Sequence, residues 1–388
     1  MFSTRVPADR RPNRLSVALA AARQARELID LTLSNPTRAG LHYPDDLLAG
    51  LADPRGLTYR PEPFGLEDAR SAVAETYGRR GLRIHPDRVI LTASTSEAYS
   101  LLFKLVADPG ADVLTPVPSY PLFDHLAALD GVRQQPYRLV YDGRWSLDLR
   151  DLDEAWSRRT RAVLAVSPNN PTGSNLDDGD AAGLTRRCAE HEAALIVDEV
   201  FADYPLEDAR PEPEALTAAD CLVFRLGGLS KSGGLPQVKL GWIAVEGPAQ
   251  VVEPALDRLE LICDTYLSVS TPVQLAARDL IARSAAVREQ ILERIRRNYA
   301  SLRRLVGAHP GAAVSALHAD GGWSAVLRVP ATHGEEALAL DLLDRGVVVH
   351  PGFFFDFPHE AFLVVSLLPE PDAFDRGVAI VLERAHAA

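Results

Sequence analysis

Short apolar runs alternate with amphipathic helical stretches between about residue 66 and about residue 247. The apolar runs are rich in β-branched and aliphatic residues and lie in the segments 88–94, 112–121, 161–173, 193–201, 221–231 and 239–247, of which 112–121 continues into a proline-rich turn. Stretches with apolar positions at helical spacing lie between several of them, at 66–81, 95–110 and 177–193. This alternation predicts a three-layer α/β/α domain in which helices cover both faces of a mainly parallel sheet.

The pattern changes from about residue 271. Apolar residues recur every three or four positions between 291 and 305, which predicts a long helix with one buried face. Strand-like and helical segments follow it, so we expect a smaller α/β domain over 271–388 and a large domain over 46–270. Residues 1–45 are polar and contain many arginines and prolines. We expect them to form an arm that packs on the small domain or on a partner subunit.

Composition and charge narrow the class of protein. The 388 residues are 47% hydrophobic and carry a formal net charge of −12 without a long basic block, so we expect neither nucleic acid nor a membrane as a partner. No secretory signal pattern is recognised at the N-terminus. Cys188, Cys221 and Cys263 lack metal-site spacing, which predicts reduced thiols and no metal. A cytoplasmic enzyme or binding protein fits these features.

Polar residues follow the predicted strands, where open parallel sheets bind their ligands. Thr95 and Ser96 begin a helix after one strand; their amides and hydroxyls can hold a phosphate, and a plain helix cap explains them equally well. The stiff loop 167–173 can direct the Asn170 amide inward, although ordinary turns use the same residues. Tyr120, on a turn after the next strand, either stacks on a flat ring or only packs.

A carboxylate and an amine complete this set. Asp198 lies in a strongly apolar strand, where a charge is costly unless a ligand cation or a structural salt bridge pairs with it. Lys231 lies between glycines and serines just before an apolar strand, and Lys239 follows eight residues later. A lysine in such a loop fits a solvated turn as well as a chemical role.

One ligand uses all of these groups. Pyridoxal 5′-phosphate offers a phosphate, an aromatic ring, a basic ring nitrogen, a ring oxygen and an aldehyde. Lys231 would form a Schiff base with the aldehyde, and Asp198 would pair with the protonated ring nitrogen. Asn170 would bind the ring oxygen, and Tyr120 would stack on the ring. The phosphate would be held by Thr95, Ser96, Ser230 and Lys239.

The chain resembles the fold-type I pyridoxal-phosphate enzymes of the class I/II aminotransferase family, which includes aspartate aminotransferase. The resemblance covers nearly the whole length, and its motifs, in family order, are "YRPEPFGLEDAR", "NNPTG", "VDEV" and "SKSGGLPQVKLGW". It implies a homodimer with shared active sites. Tyr59 matches a family tyrosine that reaches the phosphate of the partner subunit; the alternative is a tyrosine packed at a strand end.

Four positions depart from the family pattern. Phe201 replaces a tyrosine that bonds to the ring oxygen, Gly228 replaces a phosphate-binding serine, and Lys239 replaces a phosphate-binding arginine. Val364 stands where most members have the arginine that holds the substrate's α-carboxylate. Lys239 keeps the positive charge of the arginine but cannot form the bidentate hydrogen bonds of a guanidinium group.

Another group must therefore bind the substrate's carboxylate, or the substrate carries none there. The loop 34–41 resembles a family segment at the mouth of the site and supplies Asn35 and Arg38 as candidates. A solvated loop arginine is the alternative for Arg38, and Arg328 is a further candidate that can equally face solvent. A group of aromatic residues either lines a pocket for an apolar group or belongs to the core: Phe353, Phe354, Phe355 and Phe357.

The resemblance implies an aminotransferase that moves an amino group between an amino acid and a 2-oxo acid through an imine of Lys231. A lyase that performs C–S or β-elimination, or a decarboxylase, uses the same cofactor contacts and is the alternative. A ligand-sensing module without catalytic activity is a third hypothesis. The intact pair of Asp198 and Lys231 disfavours that third hypothesis.

Overall fold

A computed structural model describes residues 2–207, 211–308, 313–332, 334–359 and 361–386. Its strands are β1 (Ile29–Asp30), β2 (Val89–Thr92), β3 (Asp112–Val117), β4 (Arg133–Tyr141), β5 (Trp145–Leu147), β6 (Thr160–Val166), β7 (Ala194–Asp198), β8 (Val223–Gly228), β9 (Gly241–Glu246), β10 (Ser315–Ala316), β11 (Ser324–Arg328), β12 (Val347–Val348), β13 (His350–Pro351) and β14 (Phe362–Ser366).

Helices separate most of these strands. They are α1 (Arg14–Ala25), α2 (Glu67–Arg79), α3 (Thr95–Val106), α4 (Phe123–Leu129), α5 (Leu149–Ala155), α6 (Asp178–Glu190), α7 (Glu214–Thr217), α8 (Leu229–Ser232), α9 (Ala249–Tyr266), α10 (Thr271–Arg283), α11 (Ala285–Gly307), α12 (Glu335–Asp344) and α13 (Pro371–His386). Short 3₁₀ turns add Pro36–Arg38, Ala49–Ala52, Pro54–Leu57, Pro86–Arg88, Pro236–Val238 and Gly352–Phe355. In the part of the chain described here, no helix is long and apolar enough to cross a bilayer.

Eight strands form one large sheet in the order β2-β9-β8-β7-β6-β3-β4-β5. The pairs between β8, β7, β6, β3 and β4 are parallel, whereas β9 runs antiparallel to both its neighbours and β5 is an antiparallel edge. The prediction of a mainly parallel sheet between helices is confirmed. The strand predicted at 239–247 therefore pairs in the opposite direction from its neighbours.

Strand β7 shows how the sheet is buried on both faces. Leu195 and Val197 pack with Leu184 of α6, whereas Ile196 packs with Leu102 of α3 on the other face. Successive side chains of a strand point to opposite faces, so a nearly continuous apolar run is what such a central strand requires. The same alternation directs the next two residues, Asp198 and Glu199, to opposite sides of the sheet.

A second sheet, in the order β10-β11-β14-β13, is antiparallel throughout. Helix α1 packs on α12, Arg26 Nη2 donates to the carbonyl of Leu343 over 2.8 Å, and β1 pairs in parallel with β12. The N-terminal segment thus contacts residues C-terminal to 334. Helix α10 packs on α2 across the expected boundary at residue 271. The division into 1–45, 46–270 and 271–388 stays a prediction.

A buried ion-pair network lies on the Glu199 side of the sheet. Arg225 of β8 is completely buried and forms salt bridges with Glu199, Glu212 and Glu246. Arg80 Nη1 and Nη2 each lie 2.9 Å from a carboxylate oxygen, of Glu199 and Glu212 respectively. Because these carboxylates are withdrawn from water, they depend on the two guanidinium groups for compensation.

We expect Arg225→Ala to lower the free energy of unfolding by about 3–5 kcal/mol, because it leaves buried carboxylates without their partner. Arg278→Ala is the control: Arg278 pairs with Asp68 and Glu75 on the surface, where an ion pair contributes about 0–1 kcal/mol. Urea denaturation of both variants measures the difference. A loss below 1 kcal/mol for Arg225→Ala would contradict the assigned role.

Candidate active site

A cavity of about 420 Å³ lies between the large sheet and the four-stranded sheet. Residues at the carboxyl ends of β3, β6, β7 and β8 line one side, and residues of β11, β13 and β14 line the other. All but two of the residues predicted to bind the cofactor lie in its wall: Thr95, Ser96, Tyr120, Asn170, Asp198, Ser230 and Lys231. Five segments that are distant in sequence thus meet in one place.

Lys231 lies on α8, directly after β8. Its Nζ is 4.8 Å from the ring centroid of Trp323 and 5.4 Å from that of Phe201. Burial lowers the pKa of Lys231 to about 8, although the negative charge of Asp198 acts in the opposite direction. At pH 7 roughly a tenth of this amine is therefore unprotonated, far more than for an ordinary lysine, and the unprotonated form is the one that acts as a nucleophile or a base.

Asp198 is buried at the end of β7 and faces the cavity. Tyr99 Oη donates a hydrogen bond to its Oδ2 over 2.7 Å, and the Val200 amide donates to its Oδ1 over 3.0 Å. Burial raises the pKa of Asp198 to about 6, and these two hydrogen bonds oppose that shift. The carboxyl group is thus ionised at neutral pH and oriented by two donors.

The start of α3 combines a helix cap with free donors. Ser94 Oγ accepts from the Glu97 amide over 3.2 Å and so caps the helix, and Glu97 Oε2 accepts from the amide of Ala93, the residue before the cap, over 2.6 Å. The amides of Thr95 and Ser96 begin the helix and have no intrahelical acceptor. Ser94 therefore caps the helix, and Thr95 and Ser96 line the cavity at the helix start; their role in binding a phosphate stays a prediction.

The two asparagines of loop 167–173 have different surroundings. Asn169 is buried, and its Nδ2 donates to the Pro118 carbonyl over 3.1 Å and to Thr172 Oγ1 over 2.8 Å. Asn170 lines the cavity, and its Oδ1 accepts from Ser324 Oγ over 3.3 Å. Asn169 therefore holds the loop in shape, whereas Asn170 is the asparagine of this loop that lines the cavity.

Four predicted site residues lie outside the cavity wall. Lys239 is exposed with a left-handed backbone (φ 57°), and Tyr59 is 72% exposed. Asn35 and Arg38 are exposed on the turn Pro36–Arg38, where Asn35 Oδ1 accepts from the Thr37 amide over 3.1 Å. The roles given to these four residues stay predictions.

Three of the departures from the family pattern lie in the wall itself: Phe201, Gly228 and Val364. Gly228 pairs directly with Gly241, and a Cβ at Gly228 would lie only 3.2 Å from the Leu240 carbonyl oxygen and from the Gly241 Cα. A side chain at position 228 would therefore be crowded by the facing strand β9.

Several wall residues come from other elements and were not predicted from the sequence. Thr32 and Ser34 come from the loop after β1, and the four-stranded sheet and its flanks contribute Trp323, Ser324, His350 and Ser366. A single polar residue in each of the apolar runs "VVVHP" and "FLVVS" was a weak signal for this face. Of the aromatic group, Phe354 and Phe355 line the cavity, Phe353 is 44% exposed and Phe357 is buried in the core.

We expect Tyr99→Phe to raise the pKa of Asp198 above about 6, because the lost hydrogen bond stabilised the charged form. Since the folded-state pKa of Asp198 is raised, its contribution to stability is lost as pH rises through 6. The variant should therefore be destabilised more at pH 8 than at pH 5, by about 1–3 kcal/mol at pH 8. Infrared difference titration of the carboxyl band and denaturation at both pH values provide the two measurements.

Tyr137→Phe is the matched control. Tyr137 is equally buried, and its hydroxyl donates to the Leu164 carbonyl over 2.8 Å, away from the cavity. It should lose stability by a similar amount without a change in the Asp198 titration. An unchanged Asp198 pKa in Tyr99→Phe would show that Tyr99 only packs.

The chain is similar to known proteins over most of its length. A family model described as aminotransferase class I and II matches residues 26–374. The chain is 24% identical over 359 residues to the glutamate-pyruvate aminotransferase AlaA of Escherichia coli K12, covering 90% of this chain and 88% of the relative. It is 26% identical over 378 residues to an alanine aminotransferase of Mycobacterium tuberculosis, covering 93% and 85%.

Among solved structures, a double mutant of aspartate aminotransferase from Thermus thermophilus superposes with a TM-score of 0.84 at 23% sequence identity, and 99% of each chain is covered. This similarity supports the same arrangement of the large sheet and its helices. Together with the match of the family model over most of the chain, it leads to one conclusion. The chain belongs to the class I and II aminotransferase family.

Proposed function

We propose that this chain binds pyridoxal 5′-phosphate in the cavity and moves an amino group between an amino acid and a 2-oxo acid. The observation that supports the proposal most directly is the placement of two groups in one wall: an amine with a pKa of about 8 and a buried carboxyl group with a pKa of about 6. Class I and II aminotransferases are pyridoxal-phosphate enzymes, so membership of the family supports the same cofactor here.

The residues of the cavity fit this cofactor. The free amides at the start of α3 and the hydroxyl of Ser230 suit a phosphate, and Lys239 and a partner subunit's Tyr59 are proposed as further phosphate contacts. Asn170 suits the ring oxygen, and Tyr120, which is 40% exposed, offers a face for stacking. When bound, the cofactor supplies an aldehyde that bonds to amines and a ring that withdraws electrons.

The chain's own groups supply the proton transfers. Asp198, ionised above about pH 6, would hold a proton on the ring nitrogen and so keep the ring electron-poor. Lys231 Nζ, once free, would take a proton from the substrate's α-carbon and return it to the opposite end of the reacting system. The rings of Trp323 and Phe201 lie beside Nζ and make part of its surroundings apolar.

The lyase and the decarboxylase use the same groups, and the comparisons favour neither of them over amino transfer. A single turnover separates the outcomes. The loaded enzyme, mixed with an excess of amino acid and no acceptor, should form one equivalent of 2-oxo acid per site and no ammonia. Steady release of ammonia or carbon dioxide would contradict amino transfer.

We further propose that the protein is a homodimer with shared active sites and that it is located in the cytoplasm.

Lys231→Ala should lower the rate of amino transfer by about 10²–10⁴-fold, the usual contribution of a general base, and should abolish the absorbance band of the lysine-bound cofactor. Lys104→Ala is the control, since Lys104 pairs with Asp130 at the surface and should leave both properties unchanged. Full turnover in Lys231→Ala, with the band retained, would refute the assignment.

Asp198→Asn should lower the pKa of Lys231 below about 8 in the cofactor-free protein, because the carboxylate charge raises that pKa. Carbon NMR of reductively methylated lysines measures the pKa directly. Lys239, which lies outside the cavity wall, serves as the internal reference in the same spectrum. An unchanged or higher pKa for Lys231 would show that the two groups do not interact.

A further inference from the structure

One face of the four-stranded sheet forms the cavity wall opposite Lys231. Ser324 of β11 pairs directly with Ser366 of β14, and His350 of β13 pairs directly with Val364. Direct partners in antiparallel strands point to the same side, as do residues two apart in one strand. These four side chains therefore share one face, and all four line the cavity. We call them the sheet-face residues.

This face holds little positive charge. Among the described residues that line the cavity, no arginine occurs, and the side chains that can carry a positive charge are Lys231 and His350. Lys231 is committed to the cofactor under the proposed function. Val364, at the position of the family arginine, is 2% exposed and apolar. A substrate carboxylate placed here needs a hydrogen-bond donor, because an uncompensated charge in an apolar cavity is costly.

The serines of the sheet face have already used their hydroxyl protons. Ser324 Oγ donates to Asn170 Oδ1 over 3.3 Å, and Ser366 Oγ donates to the Leu33 carbonyl. Ser366 Oγ also accepts from the Leu368 amide over 3.1 Å. Neither hydroxyl proton is therefore available to a ligand without breaking a bond within the protein.

His350 is the remaining donor of the sheet face. Neither of its ring nitrogens bonds to another described residue, and its ring lies 5.8 Å, centroid to centroid, from both Phe354 and Phe355. In the neutral imidazole one nitrogen carries a proton that it can donate. The two phenylalanines and Val364 form an apolar surface around it.

We propose that His350 binds the α-carboxylate of the substrate, and that the apolar surface beside it selects a monocarboxylic amino acid with an uncharged, apolar side chain. This inference rests on the proposed amino transfer, since it names the substrate class of the same site. His350 acts here as a substrate-binding residue with no part in the proton transfers. The apolar surface offers no counter-ion for a second carboxylate.

Calorimetry on the cofactor-loaded protein tests the contact with two unreactive probes. They are 3-phenylpropanoate, which carries an apolar group and a carboxylate, and 3-phenylpropan-1-ol, which lacks the charge. We expect His350→Ala to weaken binding of the acid about 10-fold or more, the effect of losing one hydrogen bond to a charged group, and binding of the alcohol less than about 2-fold.

Two further variants separate the contact from a structural effect. His350→Gln keeps an N–H donor, so it should retain acid binding to within about 3-fold. Val364 is the neighbour of His350 on the same face. Val364→Ala removes only apolar contact, so it should weaken the binding of both probes equally. With a reactive apolar amino acid, His350→Ala should raise KM about 10-fold and leave kcat within about 2-fold.

Equal losses for acid and alcohol in His350→Ala, or unchanged binding of the acid, would overturn the assignment of His350. Higher kcat/KM for dicarboxylic than for apolar amino acids would overturn the substrate class. Both results are compatible with amino transfer by Lys231. If the probes behave as expected but no amino acid yields a 2-oxo acid, the proposed function fails and the carboxylate site stands.

Discussion

The site depends on one electrostatic arrangement, a buried carboxyl group and a buried amine that face the same cavity. Burial acts on both in the direction of the neutral form, raising the pKa of Asp198 and lowering that of Lys231. Their mutual attraction and the Tyr99 hydrogen bond keep Asp198 charged at neutral pH. The pKa of Lys231, about 8, stays close to neutral pH. A single cavity thus contains an anion and a reactive amine.

The end of β7 illustrates how one strand builds both the site and its support. Asp198 and Glu199 are adjacent acids on opposite faces, and both are buried. Burial alone would raise the pKa of Glu199, but the guanidinium groups of Arg80 and Arg225 outweigh it and hold the pKa below its usual value. Glu199 is therefore a permanent anion in a structural network, whereas Asp198 is poised nearer neutrality.

Much of this could be predicted from the sequence because it is local. The apolar runs predicted the central strands. Asn170, Asp198 and Lys231 were predicted as site residues because each lies at or just after a strand end. Tyr99, Arg225 and His350 were missed, since their importance comes from partners 99, 26 and 14 residues away. The role of Tyr59 was taken from a resemblance and that of Lys239 from its place eight residues after Lys231, and neither residue lines the cavity of the single chain.

The most direct test of the account is to reduce the cofactor-loaded protein with borohydride and map the labelled peptide by mass spectrometry. The chain contains three lysines, Lys104, Lys231 and Lys239, so the assignment is unambiguous. The account predicts the mass of one reduced cofactor on Lys231 and none on the other two. Label on Lys239 or Lys104, or no label in a protein that still transfers amino groups, would contradict it.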